Sequence, residues 1–300
     1  MRLQYATEKL KLPFRRDKKL FGWDRTQKFL FVLLLFIGVF MLLPLVYIFN
    51  HALKPYSELF IFPPNILVME PTLSNFTELF VITSESVVPA SRYLFNSVLI
   101  AVFATVAVVV ISAMCAYPLA KHKFPGRDLI FMTIIVSLMF VPETMAIPRY
   151  VVISNLGIIN TYWAHIFPHV AAPVGVFLMK QFMDQVPNEI IEAAKIDGAR
   201  EFMLFLRIVM PVCMPAAATI AIIQFQQVWS NTETSMLFMT DDAMKTFPFF
   251  LSTLLNNLTN SVARQGAAAA ATLITFVPAL IIFLVFQRKV IATMAHSGIK

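Results

Sequence analysis

The sequence predicts an all-α integral membrane protein: six transmembrane helices, both termini cytoplasmic, and a charged helical excursion between spans four and five. Three observations carry this prediction. The composition is apolar, the uncharged runs have membrane-crossing length, and lysines and arginines collect on one side of those runs. Hydrophobic residues make up 58% of the 300-residue chain and charged residues 14%, with a mean hydropathy of +0.74. Soluble domains hold roughly 45–50% apolar and about 25% charged residues. The excess here calls for lipid as solvent.

About twenty apolar residues cross the hydrocarbon core as a helix, because each adds about 1.5 Å. Helices are required because lipid offers the backbone no hydrogen-bond partner. Six segments qualify: Phe29–Phe49, Tyr93–Ala120, Leu129–Pro148, Tyr162–Phe182, Val212–Phe238 and Gly266–Phe286. The first holds 21 uncharged residues with no small-residue cleavage site after it, so it reads as a retained span and not a signal peptide. Prolines and polar residues interrupt the third and fifth.

The positive charges orient the bundle. Residues 1–28 hold nine Lys or Arg, residues 121–128 three, 180–210 four and 287–300 three, which is 19 of the 24 on one side. By the positive-inside rule that side is cytoplasmic. The net charge of +7 therefore belongs to membrane topology, and no nucleic-acid partner is expected. Cys115 and Cys213 sit at or inside apolar segments and read as small core residues; no metal site is expected from them. The chain divides into a cytoplasmic tail (1–28), a first span with an outer loop (29–92), a core of spans two to six (93–290) and a cytoplasmic tail (291–300). The outer loop from His51 to Arg92 is expected either to form a solvated cap or to meet an external partner.

The inner segment 186–211 carries the strongest signal. Pro187 suits a first helical turn, and Glu189 and Glu192 lie toward the positive end of the helix dipole. Ile190, Ala193 and Ala194 share a face, flat enough for close approach by another protein. Gly198 supplies the positive φ that lets the helix end and the chain turn. A second amphipathic stretch with Phe202, Phe205, Leu206 and Val209 returns to the membrane at Pro211. An interfacial helix resting in headgroups would show more Lys and Arg on its polar face. This face mixes Glu189, Glu192, Lys195, Asp197, Arg200 and Glu201, which favours a protein partner.

The run Glu192-Ala193-Ala194, then Asp197-Gly198-Ala199, Ile208, Pro211 and Pro215, resembles the EAA loop of ABC-importer permeases, and in particular the six-span, maltose-type carbohydrate permease subunit. The resemblance also includes Asn96-Ser97, Ala116-Tyr117 with KHKFPGRD after it, and Pro148. It continues through SNLGIINTYWA (154–164), FLMKQF (177–182), Trp229 and FQRKV (286–290), covering roughly residues 90 to 300. It implies a binding-protein-dependent importer of a sugar or oligosaccharide in the bacterial cytoplasmic membrane. The implied partners are a second, similar permease subunit, two ATP-binding cassette subunits and an extracellular or periplasmic sugar-binding protein. Glu192, Ala193, Ala194, Asp197, Gly198 and Pro211 would couple to the ATPase, and the tail residues Ser297, Gly298 and Lys300 would contact it. The chain has no GxxxxGK[ST] phosphate loop. It is therefore expected to be no enzyme and to hold no cofactor, with ATP and Mg bound by the partner ATPase.

The fifth span carries an unusual polar set. Gln224, Gln227 and Asn231 share one face, and Gln226, Trp229 and Glu233 a neighbouring one. Polar groups at membrane depth are costly unless they face a bundle interior or a wet cavity. An aromatic platform with amide and carboxylate groups suits a sugar ring, which makes Gln224, Gln227, Trp229, Asn231 and Glu233 candidates for the substrate path. Amides also join transmembrane helices, and that alternative stays open. His165 and His169 have metal-pair spacing but lack a third ligand, so packing is favoured. Pro168, Pro173 and Gly175 are expected to distort span four, and Glu143 and Arg149 to pair or to sit at the interface. The competing functions are the same machinery carrying glycerol phosphate or a polyol, or an ion-coupled secondary transporter, which would show inverted repeats and intramembrane carboxylates.

Overall fold

In the computed structural model, which describes residues 25–59, 61, 65, 67–84, 88–258 and 265–297, the chain is helical and its described residues contain no strand. Contacts divide it into two compact units, residues 1–47 and 48–300. The helix α1 (Arg25–Leu53) accounts for the described part of the first. Its side chains are apolar on every face, and Phe29, Leu34, Phe36 and Met41 are all strongly exposed. A helix apolar all round is one made for lipid.

In the second unit, Ile48 and Ala52 pack on Ala270 and Leu273. The outer loop expected as a solvated cap has a polar interior of its own. The short helix α2 (Tyr56–Leu59) brings Glu58 inward, where its carboxylate accepts from the backbone N–H groups of Met69 and Glu70. Lys54, also buried, donates to the Asn65 carbonyl at 2.6 Å. The helix α3 (Ser74–Ser84) begins beside Asn75, whose amide donates to the carbonyls of Ala52 and Lys54 and so caps the end of α1.

The long helix α4 (Ala90–Lys121) is the axis of the unit. Ala101, Ala104, Ala113 and Ala116 are fully buried along it, so neighbouring backbones approach closely. After α4 come α5 (Arg127–Ser137), a 3₁₀ turn at Pro142–Met145, and α6 (Ala146–Asn155). The chain turns by 104° between α5 and the segment Pro142–Asn155. The third predicted span is therefore not one straight helix: Pro142 forces Val141 into an extended conformation and the helix must restart. Next are α7 (Tyr162–Val170) and α8 (Pro173–Asp184), bent by 46° at Ala171–Ala172, where Pro173 opens the new helix.

On the charged side lie α9 (Asn188–Ile196), α10 (Glu201–Leu204), a π-helical turn over Phe205–Val209, and α11 (Met210–Val212). Pro187 caps α9 from outside, one position earlier than its expected place in the first turn. The chain then bends by 77° into α12 (Met214–Trp229). The fifth predicted span, drawn to Phe238, ends as a helix at Trp229. Residues 230–232 turn the chain into the short α13 (Glu233–Phe238). The helices α14 (Phe247–Leu258) and α15 (Gln265–Ser297) complete the described chain. By length and composition, three helices among the described residues are long and apolar enough to cross a membrane, or up to six if each bent pair is one span.

Candidate functional site

The amphipathic helix α9 is anchored on one side only. Ile191 is buried in a core with Val186, Leu204, Phe205 and Val209, and Ala194 and Ala199 pack against it. The opposite side presents Ile190, Ala193 and Ile196, the last 87% exposed. Ala193 and Ala194, expected on one flat face, thus divide: Ala194 turns to the core and Ala193 outward. Glu192 is exposed, and Asp197 ends the helix. Gly198 has φ +82°, as its turn requires, and no atom lies within 4 Å of the place a Cβ would occupy. Pro211 opens α11 at the surface, away from the exposed side of α9 in sequence and beyond the π turn.

Glu201, which the sequence marks only as part of a polar face, is the organiser of this segment. Its carboxylate accepts from the Tyr117 hydroxyl at 3.0 Å and from Lys195 at 2.8 Å, with His122 Nε2 3.4 Å away. Lys121 donates to the Val186 carbonyl at 2.6 Å and to Asn188 at 3.2 Å. Both ends of α9 are therefore tied to the end of α4. Tyr117 and the basic loop stand out in the sequence, but their partner lies far along the chain.

The other end of α4 carries a second set of bonds. The Asn96 amide donates to the carbonyls of Ala243 and Lys245 at 2.8 and 2.9 Å, and accepts from the Tyr162 hydroxyl. Ser97 accepts from the Phe247 N–H at 2.7 Å. The pair Asn96-Ser97 thus fixes the loop between α13 and α14. Asn96→Ala leaves the Lys245 carbonyl without its partner and takes one of two partners from the Ala243 carbonyl and the Tyr162 hydroxyl, in a partly buried place. The expected cost is about 2–3 kcal/mol, read as faster protease nicking within residues 239–246 while α-helical content is unchanged.

Between these ends the helix breaks converge on a cavity of about 640 Å³. Its wall includes Leu138 and Phe140 after α5, Ala171 and Ala172 between α7 and α8, and Ser230 to Thr232 after α12. Irregular backbone is tolerated at membrane depth only where protein or a wet cavity serves its polar groups. Of the predicted substrate-path residues, Gln224, Gln227, Asn231 and Glu233 line this cavity, and Trp229 does not. Trp229 is buried, stacks on Phe225 and donates to the Thr275 carbonyl at 2.8 Å, joining α12 to α15. Asn231 uses its carbonyl oxygen to accept from the Thr234 N–H at 3.0 Å, capping α13.

Arg149 Nη1 donates to both oxygens of Glu233 at 3.1 and 3.0 Å. The expected neighbour Glu143 does not pair with it: Glu143 lines the cavity from the 3₁₀ turn without an ion pair among the described residues. His165 and His169 also separate. His165 is buried with Nδ1 2.8 Å from the Thr234 hydroxyl and Nε2 3.1 Å from the Met244 carbonyl, whereas His169 belongs to the cavity wall. Among the described residues no three metal-ligating side chains gather. Gly175, expected to distort its helix, instead marks a close approach: a Cβ there would lie 2.5 Å from Ser112 Oγ. Ser297 is the last helical residue of α15, and Gly298 and Lys300 lie outside the described residues.

Broken helices round a cavity with polar walls, and an amphipathic helix tied to one end of the bundle, are the arrangement of a membrane permease. The chain belongs to the family described as binding-protein-dependent transport system inner membrane component, whose model matches residues 109–295. The arabinooligosaccharides transport system permease protein AraQ of Halalkalibacterium halodurans is 31% identical over 95% of this chain and 99% of its own. AraQ of Bacillus subtilis is 30% identical over 87% of this chain and 93% of its own. The melibiose/raffinose/stachyose import permease protein MelC of Bacillus subtilis is 29% identical over 82% and 85%. Among solved structures, a bacterial ABC transporter involved in the import of the acidic polysaccharide alginate has a chain with TM-score 0.74 and 19% identity. The match covers 89% of this chain and 98% of that one.

Proposed function

We propose that this chain is one of two similar permease subunits of an ABC importer for a sugar or oligosaccharide, spanning the bacterial cytoplasmic membrane six times with both termini inside. The helix α9 seats in a cleft of a separate ATPase, which binds ATP and Mg. A second such subunit and an external sugar-binding protein complete the machine. The observation that carries the docking assignment is the one-sided burial of α9. Ile191 and Ala194 hold it to the core, while Ile190, Glu192, Ala193 and Ile196 are left outside for a partner. The outward placement of Ala193 and Gly198 keeps that surface low.

The sugar assignment is supported by the names of the relatives and by the cavity's amide groups. Gln224 and Gln227 make no hydrogen bond to another described residue and lie in the wall, so their amides are available to hydroxyl groups. Glu233 is held in an ion pair by Arg149 and so is not itself free to bind a coupling ion.

The test is purification of the intact complex followed by uptake of labelled oligosaccharides into proteoliposomes. The reading requires a co-purifying ATPase and uptake that stops without ATP. Uptake persisting without any ATPase would establish a secondary carrier instead. In the same assay Gln224→Ala with Gln227→Ala is expected to lower uptake about tenfold or more, as for two lost hydrogen bonds of about 0.5–1.5 kcal/mol each. Unchanged affinity and rate would remove the cavity from the sugar's path.

A further inference from the structure

Resting on the sugar-importer reading above, we infer that the cavity selects uncharged, polyhydroxylated sugars and disfavours carboxylated ones. Among the described residues of the wall Arg149 is the one lysine or arginine, and its Nη1 is held by both oxygens of Glu233. Glu143, on the turn Pro142–Met145, is exposed to the cavity with no charged partner among the described residues. Counting the carboxylates and the guanidinium alone, the described side chains of the wall carry one positive charge and two negative ones, a net of −1.

A carboxylate entering this space meets an unopposed like charge. At the guanidinium it finds Nη1 already held by Glu233, so it must share one positive charge with a second carboxylate close by. The partly buried setting of the Arg149–Glu233 pair strengthens that repulsion. A neutral sugar meets neither. The N–H groups of Arg149 not bound to Glu233, the Glu233 oxygens and the amides of Gln224 and Gln227 place donors beside acceptors, as adjacent hydroxyls require. Phe140, 57% exposed and in the same wall, supplies the apolar face that a sugar ring stacks on. The pair works for a neutral ligand because it is polar without carrying net charge.

The test uses the whole importer in proteoliposomes with its binding protein. Probes are arabinotriose, raffinose and stachyose, each paired with its form oxidised to a carboxylate. Rates are taken at saturating loaded binding protein, so that its own preference drops out. The wild-type importer is expected to move each neutral sugar about tenfold faster than its acid, the scale of one like-charge contact. Glu143→Gln with Glu233→Gln turns the wall from −1 to +1 and should narrow that ratio at least about fivefold, mainly by raising the acid's rate. The swap Arg149→Glu with Glu233→Arg keeps both the pair and the net charge, and should keep the wild-type ratio.

Glu143→Gln alone, at an exposed site, should narrow the ratio in the same direction and serves if the double variant fails to assemble. A ratio unmoved by removing Glu143 overturns charge selection while leaving the importer reading intact. An ATP-hydrolysing wild-type importer that moves none of the three neutral sugars overturns the sugar reading, and this inference with it.

Discussion

Glu192→Lys and Gly198→Asp are expected to abolish ATP-driven uptake while leaving insertion and the melting temperature of the permease near wild type. Glu192 is exposed and makes no hydrogen bond or ion pair to a described residue, so reversing its charge costs the chain itself little. Gly198 has a positive φ but open space around it. A side chain there strains the backbone by about 1–2 kcal/mol, and aspartate is among the residues that visit this conformation. Neither change disturbs the anchoring of Ile191 and Ala194. Any loss must therefore come from outside the chain, where a charge of the wrong sign or a projecting carboxylate meets the ATPase. Uptake and ATP hydrolysis measured on reconstituted complexes separate the cases. Wild-type uptake by both variants would falsify the docking of α9.

Gly175→Val is expected to act in the opposite way, by destabilising the bundle itself. A Cβ at this position would lie 2.5 Å from Ser112 Oγ, 3.3 Å from Ser112 Cβ and 3.4 Å from Ile220 Cγ2. The hydroxyl can rotate away from a single methyl, but a branched side chain also presses on Ser112 Cβ and Ile220, and α8 must then move off α4 and α12. Overpacking of this kind costs about 1–3 kcal/mol, more when backbones must separate. The expected result is a large fall in melting temperature in detergent and little assembled protein. Ser112→Gly, which removes both obstructing atoms, should restore much of the loss. A normal melting curve for Gly175→Val alone would show that the contact is not held in the membrane.

The helical class, the apolar runs of membrane-crossing length and the place of the amphipathic helix α9 were legible because each depends on local sequence. Composition, run length and the period of apolar residues are sufficient for them. The positive φ of Gly198 was legible for the same reason, since a turn between two short helices asks for it. The breaks were half legible: Pro142 and Pro173 announce an interruption, but the 104° and 46° turns depend on what the chain packs against afterwards. Pairings across the chain were not legible. Arg149 lies near Glu143 in sequence yet bonds Glu233, because the turn after α5 carries it toward α13. Trp229 has the chemistry of a sugar platform, but Thr275 offers its N–H a carbonyl and Phe225 its ring a stack, so it faces away from the cavity. The division of Ala193 from Ala194 is subtler. Neighbours on a helix point about 100° apart, and only the position of the core decides which one looks inward.

The helix α4 is unbroken from Ala90 to Lys121 and runs beside three bent pairs of helices. At one end it grips α9 through Tyr117 and Lys121, and at the other it grips the loop after α13 through Asn96 and Ser97. A helix of 32 residues is about 48 Å long. Stiff over that length, it works as a lever: a tilt of about 5° displaces one end by about 4 Å relative to the other. On the docking reading proposed for α9, a push there would arrive at the far loop at nearly full size, without a relay of rearranging side chains between them.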